Sequence, residues 1–431
     1  MHHFPAGTMN HSPRQIKQHF THEAYGLLER LRQTDPFSIT MPMVAAAGIS
    51  QAALQAITQH WGNRRSQLEK EIGQFLALVD KLTPEQTQAS TLQSRFARLK
   101  LRFNSLLDQF DIFADVISQR AEHKVGVWIA GLDELAVDAL RPMFPGLYQS
   151  PAVMCFLERG HGAAIRKART RLPGGDNNPV AIIQVPRERL VGNGIAASII
   201  HEVGHQGVAL LGLLPSIRQE MNEKKVPATQ QKGWAMLQRW LSEILADFWA
   251  MSHLGIGATL GLIGVVGLPK YFMFRTKAED PHPFPWIRVM ISIAFGERLF
   301  PDPQWAALRG LWLQLYPPDP NDKAAQEAST QIQACLPAFV AMVLHHRNIQ
   351  TKGRQLTEVL PAKHRQPFVL RKHFISDVNL ERLSPSLAFA VIGQARADGR
   401  LSNEAESKKL SHLLTLWARR RAERSQDCAL K

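Results

Sequence analysis

A five-residue motif inside an apolar segment limits what this chain can fold into more than any other feature. His201 and His205 lie four residues apart, and Glu202 directly follows the first histidine, in the sequence IAASIIHEVGH. On a helix, side chains four residues apart share one face, so both imidazoles can bind one Zn²⁺ through neutral ring nitrogens. The alternative is an ordinary helix with a polar face, whose ionisable side chains would still need partners among apolar neighbours. We therefore predict a metal-binding helix with one Zn²⁺ per chain.

A catalytic zinc site also needs a base and a third protein ligand. Glu202 is placed to take a proton from an activated water and to pass it to a leaving amine. A histidine six residues after the motif is excluded as a ligand, because that position is Leu211. The later segment WLSEILADFW instead has Glu243 and Asp247 four residues apart on an otherwise apolar helix. Carboxylates are costly there unless they bind a cation or accept hydrogen bonds.

We predict Glu243 as the third zinc ligand and Asp247 as the acceptor of a hydrogen bond from a ligand histidine. Two alternatives stay open from the residues alone. In one, Asp247 is the ligand in place of Glu243. In the other, both acids lie on a partly exposed helix face and have no role at a metal.

HExxH followed by ExxxD on a later helix resembles the gluzincin metallopeptidases. In that family the glutamate of the second motif is the third zinc ligand, and the aspartate orients the first histidine. The resemblance implies a zincin-like catalytic core and a peptidase activity. Carried onto this chain, it implies zinc ligation by His201, His205 and Glu243, general base catalysis by Glu202, and orientation of a ligand by Asp247.

The segment Asp280–Arg288, DPHPFPWIR, resembles the HP…R element of the M48-like branch of gluzincins. The resemblance implies that His282 stabilises the oxyanion and that Arg288 braces the site, although a cap or core role is the alternative for His282. It covers roughly residues 175–300. The chain departs from the family pattern at Gly207, where the extended pattern usually has a larger apolar residue. It also departs from the integral-membrane members of the branch, because only one of its segments could span a membrane.

The run VAIIQV at Val180–Val185 is β-branched and bounded by prolines, so we predict a strand. In a zincin-like core this would be the edge strand that binds substrate backbone in extended form, which favours peptide substrates. The predicted substrate-binding residues are Ile182, Ile183, Gln184 and Val185.

Helical periodicity dominates the rest of the chain, so the predicted fold class is mainly α with a small β-sheet (α+β). We predict a helical N-terminal region at 1–124, a zincin-like metallopeptidase domain at 125–350 and a C-terminal helical domain at 351–431. Thr83-Pro84-Glu85 has the composition of a helix start. Near the C-terminus, ADGRLSNEAE weakly resembles the turn of tellurite-resistance-B-like helical domains, and an ordinary helical hairpin is the alternative.

The net charge of the chain limits which classes of binding partner are expected. Lysine and arginine total 51 against 37 acids, giving a net charge of +14, which favours acidic partners. The basic residues are scattered apart from Arg166–Arg171 and Arg419–Arg424, and we find no nucleic-acid motif. We therefore expect a protein or peptide substrate and no specific nucleic acid.

Cysteine usage and hydropathy bound the compartment. Three isolated cysteines and an N-terminus without an apolar core predict a cytoplasmic protein with no signal peptide, so any export would use a non-classical route. The run Leu254–Pro269 is long enough, with its flanks, to cross a bilayer. Its dense glycines and Pro269 favour a buried helix and loop, so membrane contact is possible but not favoured.

The leading hypothesis is thus a zinc-dependent metalloendopeptidase. The alternative is a non-catalytic zinc-containing helical interaction protein, in which the histidines and Glu243 form a structural site. That alternative is disfavoured because it gives Glu202 no role and because structural zinc sites usually use cysteine.

Overall fold

The computed structural model describes residues 12–34, 43–83, 88–158, 163–187, 192, 194–275, 280–318, 322–375 and 377–429. Within these ranges most residues are helical, and one three-stranded sheet is present. The predicted fold class, mainly α with a small β-sheet, is confirmed.

The elements are numbered in chain order. The α-helices of the described residues are α1 (Pro13–Arg32), α2 (Gln51–Lys81), α3 (Ala89–Ser118), α4 (His123–Ala139), α5 (Gly194–Leu210), α6 (Leu213–Glu223), α7 (Gln231–Arg239), α8 (Leu241–Leu254), α9 (Ile256–Val266), α10 (Lys270–Met273), α11 (Pro285–Leu299), α12 (Gln304–Leu315), α13 (Lys323–His345), α14 (Leu356–Val359), α15 (Pro367–His373), α16 (Asp377–Arg382), α17 (Pro385–Ala397) and α18 (Asn403–Ala429). The strands are β1 (Val153–Glu158), β2 (Ala164–Arg166) and β3 (Ala181–Pro186).

The first three helices pack on one another through apolar stripes. On α3 an apolar stripe that includes Phe96 is buried, and the rings of Phe20 and Phe75 each have their centroid 5.8 Å from that of Phe96. α3 begins at Ala89, whereas the predicted start at 83–85 includes two residues, 84 and 85, that lie outside the described ranges.

The sheet has the order β1-β3-β2, with β1 parallel and β2 antiparallel to the central strand β3. The prediction that Val180–Val185 is an edge strand is therefore wrong. Both edges of this segment are engaged, since Ile183 is opposite Cys155 on one side and Ile165 on the other. The burial of β3 on both faces explains why its sequence is a nearly continuous apolar run, as central strands usually are. The misassigned residues are Ile182, Ile183, Gln184 and Val185.

The centre of the molecule is built where α5 packs closely against α8. A Cβ added at Gly207 would collide with the indole ring of Trp249, and one added at Gly204 would press against the backbone of Ala246. The indole of Trp249 thus fills the space that a larger apolar residue at Gly207 would need. Its Nε1 donates to the carbonyl of Ala139 at 3.1 Å, which fixes the ring in place.

The long apolar segment does not form one continuous helix with α8. Gly255 has φ 57° and separates α8 from α9, which has only 11 residues and a length of roughly 16 Å. α9 is largely buried and packs against α5, where Gly261 meets Ala197. The predicted buried helix is present as α9, whereas the predicted burial of the loop is wrong, because residues 267–269 after α9 are exposed. Within the described ranges, one helical stretch is long and apolar enough to cross a bilayer, Ala325–His345. About half of its residues are buried inside the protein.

The C-terminal helices share the core of the central helices. α17 and α18 form a hairpin around Gly399, which has φ 67°, and Arg421 of α18 is paired with the buried Asp133 of α4 at 3.1 Å. One cluster of buried apolar residues extends from Ile129 to Trp417. The predicted boundaries at 124/125 and 350/351 stay predictions.

Candidate metal centre

Two histidines and a glutamate meet at the crossing of α5 and α8. The candidate ligand atoms of His201, His205 and Glu243 all lie within 4.8 Å of one another. Nε2 of His201 is 3.2 Å from Oε2 of Glu243, and Nε2 of His205 is 3.5 Å from its Oε1. Both histidines are on the same face of α5, as their spacing predicts, with ring centroids 4.9 Å apart. The glycines of α5 that face α8 allow the two helix backbones to approach closely enough for this convergence.

The donor set fits a zinc ion. Oε2 of Glu243 is buried and has no hydrogen-bond partner, although imidazole nitrogens of His201 and His282 each lie 3.2 Å away. Such a close group of nitrogen and carboxylate oxygen atoms is stabilised by positive charge, which a metal ion or protons on the imidazoles supply. Two neutral imidazole nitrogens and one carboxylate are also the ligand types of a catalytic zinc site with an open position.

Asp247 and Arg288 stand behind the first histidine. With its proton on Nδ1, His201 donates to Oδ1 of Asp247 at 2.7 Å. Arg288 grips the same carboxylate through Nε and Nη2, at 2.7 and 2.8 Å. This arrangement fixes the tautomer of His201 and leaves the Nε2 lone pair directed toward Glu243. The structure thus places Asp247 on the side of His201 away from the candidate ligand atoms and brings Arg288 to it, as predicted.

The charges around His201 stabilise the site electrostatically. Burial lowers the pKa of His201, but the carboxylates of Asp247 and Glu243 outweigh burial and raise that pKa to about 9. Burial raises the pKa of Asp247, yet Arg288 and His201 hold it well below its usual range. Burial also raises the pKa of Glu243, and its histidine contacts reverse that effect and lower it strongly. A positive charge at this point is therefore strongly favoured by the surrounding protein.

Glu202 is buried beside the cluster. Its side chain lines the same cavity as His201, and burial raises the pKa of its carboxyl group while the two neighbouring imidazoles oppose that rise. A carboxylate with a raised pKa is a better proton acceptor than an exposed one. Its surroundings are those that a general base requires.

His282 reaches the cluster from the loop before α11. Its Nε2 lies 3.2 Å from Oε2 of Glu243, while its Nδ1 and its backbone N–H each lie 3.0 Å from Oδ1 of Asp280. The contact with Glu243 raises the pKa of His282 against the effect of burial. The ring is about half-exposed, so it faces both the candidate ligands and the solvent.

A cavity of about 180 Å³ adjoins these residues. Its polar side is formed by the site residues, and its apolar wall is formed by α9, through Ala258, Leu262 and Val265. Ala163, directly before β2, lies at its rim, whereas the residues of β3 are not among those that line it. The sequence predicts only packing for the apolar run 254–269 and does not indicate that α9 forms the wall of a cavity.

Comparison with known proteins gives no assignment. No protein-family model matches the chain, and no curated protein and no solved structure matches it.

Proposed function

We propose that this chain is a zinc-dependent metalloendopeptidase of the gluzincin type. The observation that carries the proposal is the convergence of His201, His205 and Glu243 within 4.8 Å, next to the buried carboxyl of Glu202 and an adjoining cavity. When bound, zinc supplies Lewis-acid activation of water and of the scissile carbonyl.

The side chains of the site divide the remaining chemistry among them. Glu202 accepts a proton from the attacking water and delivers it to the leaving amine. His282 donates from its half-exposed ring toward the oxygen of the scissile carbonyl as negative charge develops there. Asp247 orients His201, and Arg288 holds Asp247 in turn through two hydrogen bonds.

An extended peptide fits the site along β2. Among the described strands, β2 pairs only with β3, so the proposal places the substrate strand along the other edge of β2. Ala163, the residue directly before β2, lines the cavity, so a substrate strand on β2 would lie next to it. The apolar wall of α9 favours an apolar substrate side chain there. In this proposal β2, and not the predicted β3, binds substrate backbone.

A non-catalytic zinc protein is the second candidate, and one contact favours it. Nε2 of His282 lies as close to Glu243 as Nε2 of His201 does, at 3.2 Å. If His282 completed the coordination sphere, four protein ligands would close the site, as in structural zinc centres.

The decisive experiment compares zinc-loaded wild type with Glu202→Gln on an unfolded casein substrate. The proposal predicts cleavage by wild type and loss of cleavage with zinc retained in the variant. Glu297→Gln, which alters a partly exposed pair with Arg309 outside the site, is the matched control and should cleave like wild type. Cleavage retained in Glu202→Gln would contradict the proposal.

A further inference from the structure

A cationic turn follows strand β2. Arg166, Lys167, Arg169 and Arg171, here called the basic turn, lie within six residues of one another. The three arginines are exposed and Lys167 is half-buried. In the part of the chain that the structure describes, no carboxylate lies within ion-pair distance of any of the four. Arg187 illustrates the contrast, since it is paired with Glu122 at 3.4 Å.

The backbone of the basic turn is held rigidly. The side chain of the buried Asn178 lies 3.3 Å from the carbonyls of Arg166 and Lys167 and donates to them. The hydroxyl of Thr170 donates to the carbonyl of Lys167 at 2.6 Å, and Arg169 adopts a left-handed conformation with φ 65°. Fixed presentation of side chains reduces the entropy lost when a ligand binds.

The basic turn is also tied to the metal-binding helix. Gln206, the residue after His205, is buried and accepts a hydrogen bond from the backbone N–H of Ala168 at 2.9 Å. The turn therefore has a fixed position relative to the site. Ala163 lies at the cavity rim and Arg166 ends β2, three residues and about 10 Å farther along an extended chain.

Four like charges in a short turn repel one another, and none of them is paired with a carboxylate of the described chain within 4 Å. An ordinary solvated basic surface would need neither a buried asparagine nor a link to α5 to hold it. A substrate strand on β2 would pass the basic turn after leaving the cavity. Acidic side chains at that distance would be attracted to it.

We infer that the basic turn selects acidic residues of an extended peptide substrate, at positions about three or more residues from the scissile bond. This inference rests on the proposed function, because it places the substrate on β2. It names the substrate class as peptides that combine an apolar residue at the cavity with acidic residues beyond it.

Binding tests the inference separately from catalysis. The protein is the full-length Glu202→Gln chain loaded with zinc. The probes are a fluorescein-labelled peptide of alternating Leu, Ala and Glu, and the same peptide with every Glu replaced by Gln. Anisotropy is measured for this background, for Arg166→Glu/Arg169→Glu/Arg171→Glu, and for the milder Arg166→Gln/Arg169→Gln/Arg171→Gln. The matched control is Arg95→Glu/Arg98→Glu/Lys100→Glu, which changes net charge equally on the exposed part of α3.

We expect the acidic peptide to bind roughly tenfold more weakly to both basic-turn variants, with an effect that declines at high salt. The neutral peptide and the α3 control should show no such change, and zinc content and thermal unfolding should match the parent. Equal binding of the two peptides to the parent would overturn the inference. A second result would also overturn it: the acidic peptide fails to bind, while a single-stranded oligonucleotide binds in a salt-sensitive way that depends on the basic turn. Wild type that binds the acidic peptide but cleaves nothing contradicts the proposed peptidase instead.

Discussion

His201 and Asp247 are joined by a contact of 2.7 Å between Nδ1 and Oδ1, across the interface of α5 and α8. This contact decides which nitrogen of His201 is available to a metal. It also connects the metal ligand to Arg288, whose two hydrogen bonds hold the carboxylate. In the proposed zinc centre, affinity for the metal should therefore depend on Asp247, which is not one of the proposed ligands.

Asp247→Ala should weaken zinc binding by roughly 10- to 100-fold without abolishing it. The variant frees His201 to rotate and leaves Arg288 without its carboxylate, so the protein should also be less stable. Competition with a chromophoric chelator measures the affinity. Asp247→Asn should lie between wild type and alanine, because the amide oxygen still accepts from Nδ1. A zinc affinity unchanged in Asp247→Ala would show that the contact does not orient the ligand.

Replacing His282 distinguishes a catalytic zinc site from a structural one. As an oxyanion donor, its replacement by alanine should lower kcat by about 10²–10³ and leave one zinc per chain. As a fourth ligand, its replacement should weaken zinc binding strongly. Turnover and metal content measured on the same preparation distinguish the two. The account predicts retained zinc, and co-loss of zinc and turnover would favour the structural centre.

Gly207→Ala should destabilise the protein by about 1–3 kcal/mol. The added methyl group would collide with the ring of Trp249, which is buried and cannot move freely. Gly73→Ala is the matched control, because that glycine is also within a helix and a Cβ there meets nothing within 4 Å. The control should gain about 0.5–1 kcal/mol. Urea unfolding of both variants tests the difference, and equal effects at the two positions would refute the packing argument.

His253 should make stability depend on pH. Burial lowers its pKa from 6.5 to about 4, and the nearby Arg365 adds to the effect. The unfolded chain therefore binds a proton at higher pH than the folded chain. The contribution of neutral His253 to the free energy of unfolding is fully present above about pH 6.5. It is lost as the pH falls toward about 4, by up to about 3 kcal/mol.

His253→Asn is the variant that tests this pH dependence. Its amide nitrogen can replace Nδ1 of the histidine, which lies 2.9 Å from the carbonyl of Trp249. Unfolding free energies measured between pH 7 and 4 should show a smaller slope in the variant than in wild type. A control substitution at the exposed His364 should leave the slope unchanged. Equal slopes in wild type and His253→Asn would contradict the assignment.

The site was more predictable from the sequence than its surroundings, for a physical reason. Each motif places its side chains through the repeat of one helix, so His201 and His205, or Glu243 and Asp247, share a face wherever the helix lies. That these two faces meet depends on α5 and α8 packing together. The sequence nevertheless favours this packing, because two carboxylates four residues apart on an apolar helix need a cation or hydrogen-bond donors as partners.

Strand order could not be obtained in the same way. Neighbouring strands are chosen by non-local pairing, and the short β2 with its exposed Ala164 and Arg166 gave no strong strand signal. The continuous apolar run of β3 is itself a sign of a central strand, and the edge-strand prediction does not take that sign into account. The glycine at position 207 likewise depends on a residue distant in sequence, because the ring of Trp249 occupies the space that a side chain there would need.

Zinc content tests the central claim most directly. Elemental analysis of purified, metal-repleted protein should give one zinc per chain in wild type and none in Glu243→Ala, because loss of the carboxylate leaves only two imidazole ligands. Both proteins should be folded by circular dichroism. A folded wild type that binds no zinc would contradict the account, since His201, His205 and Glu243 would then have converged without a metal to hold.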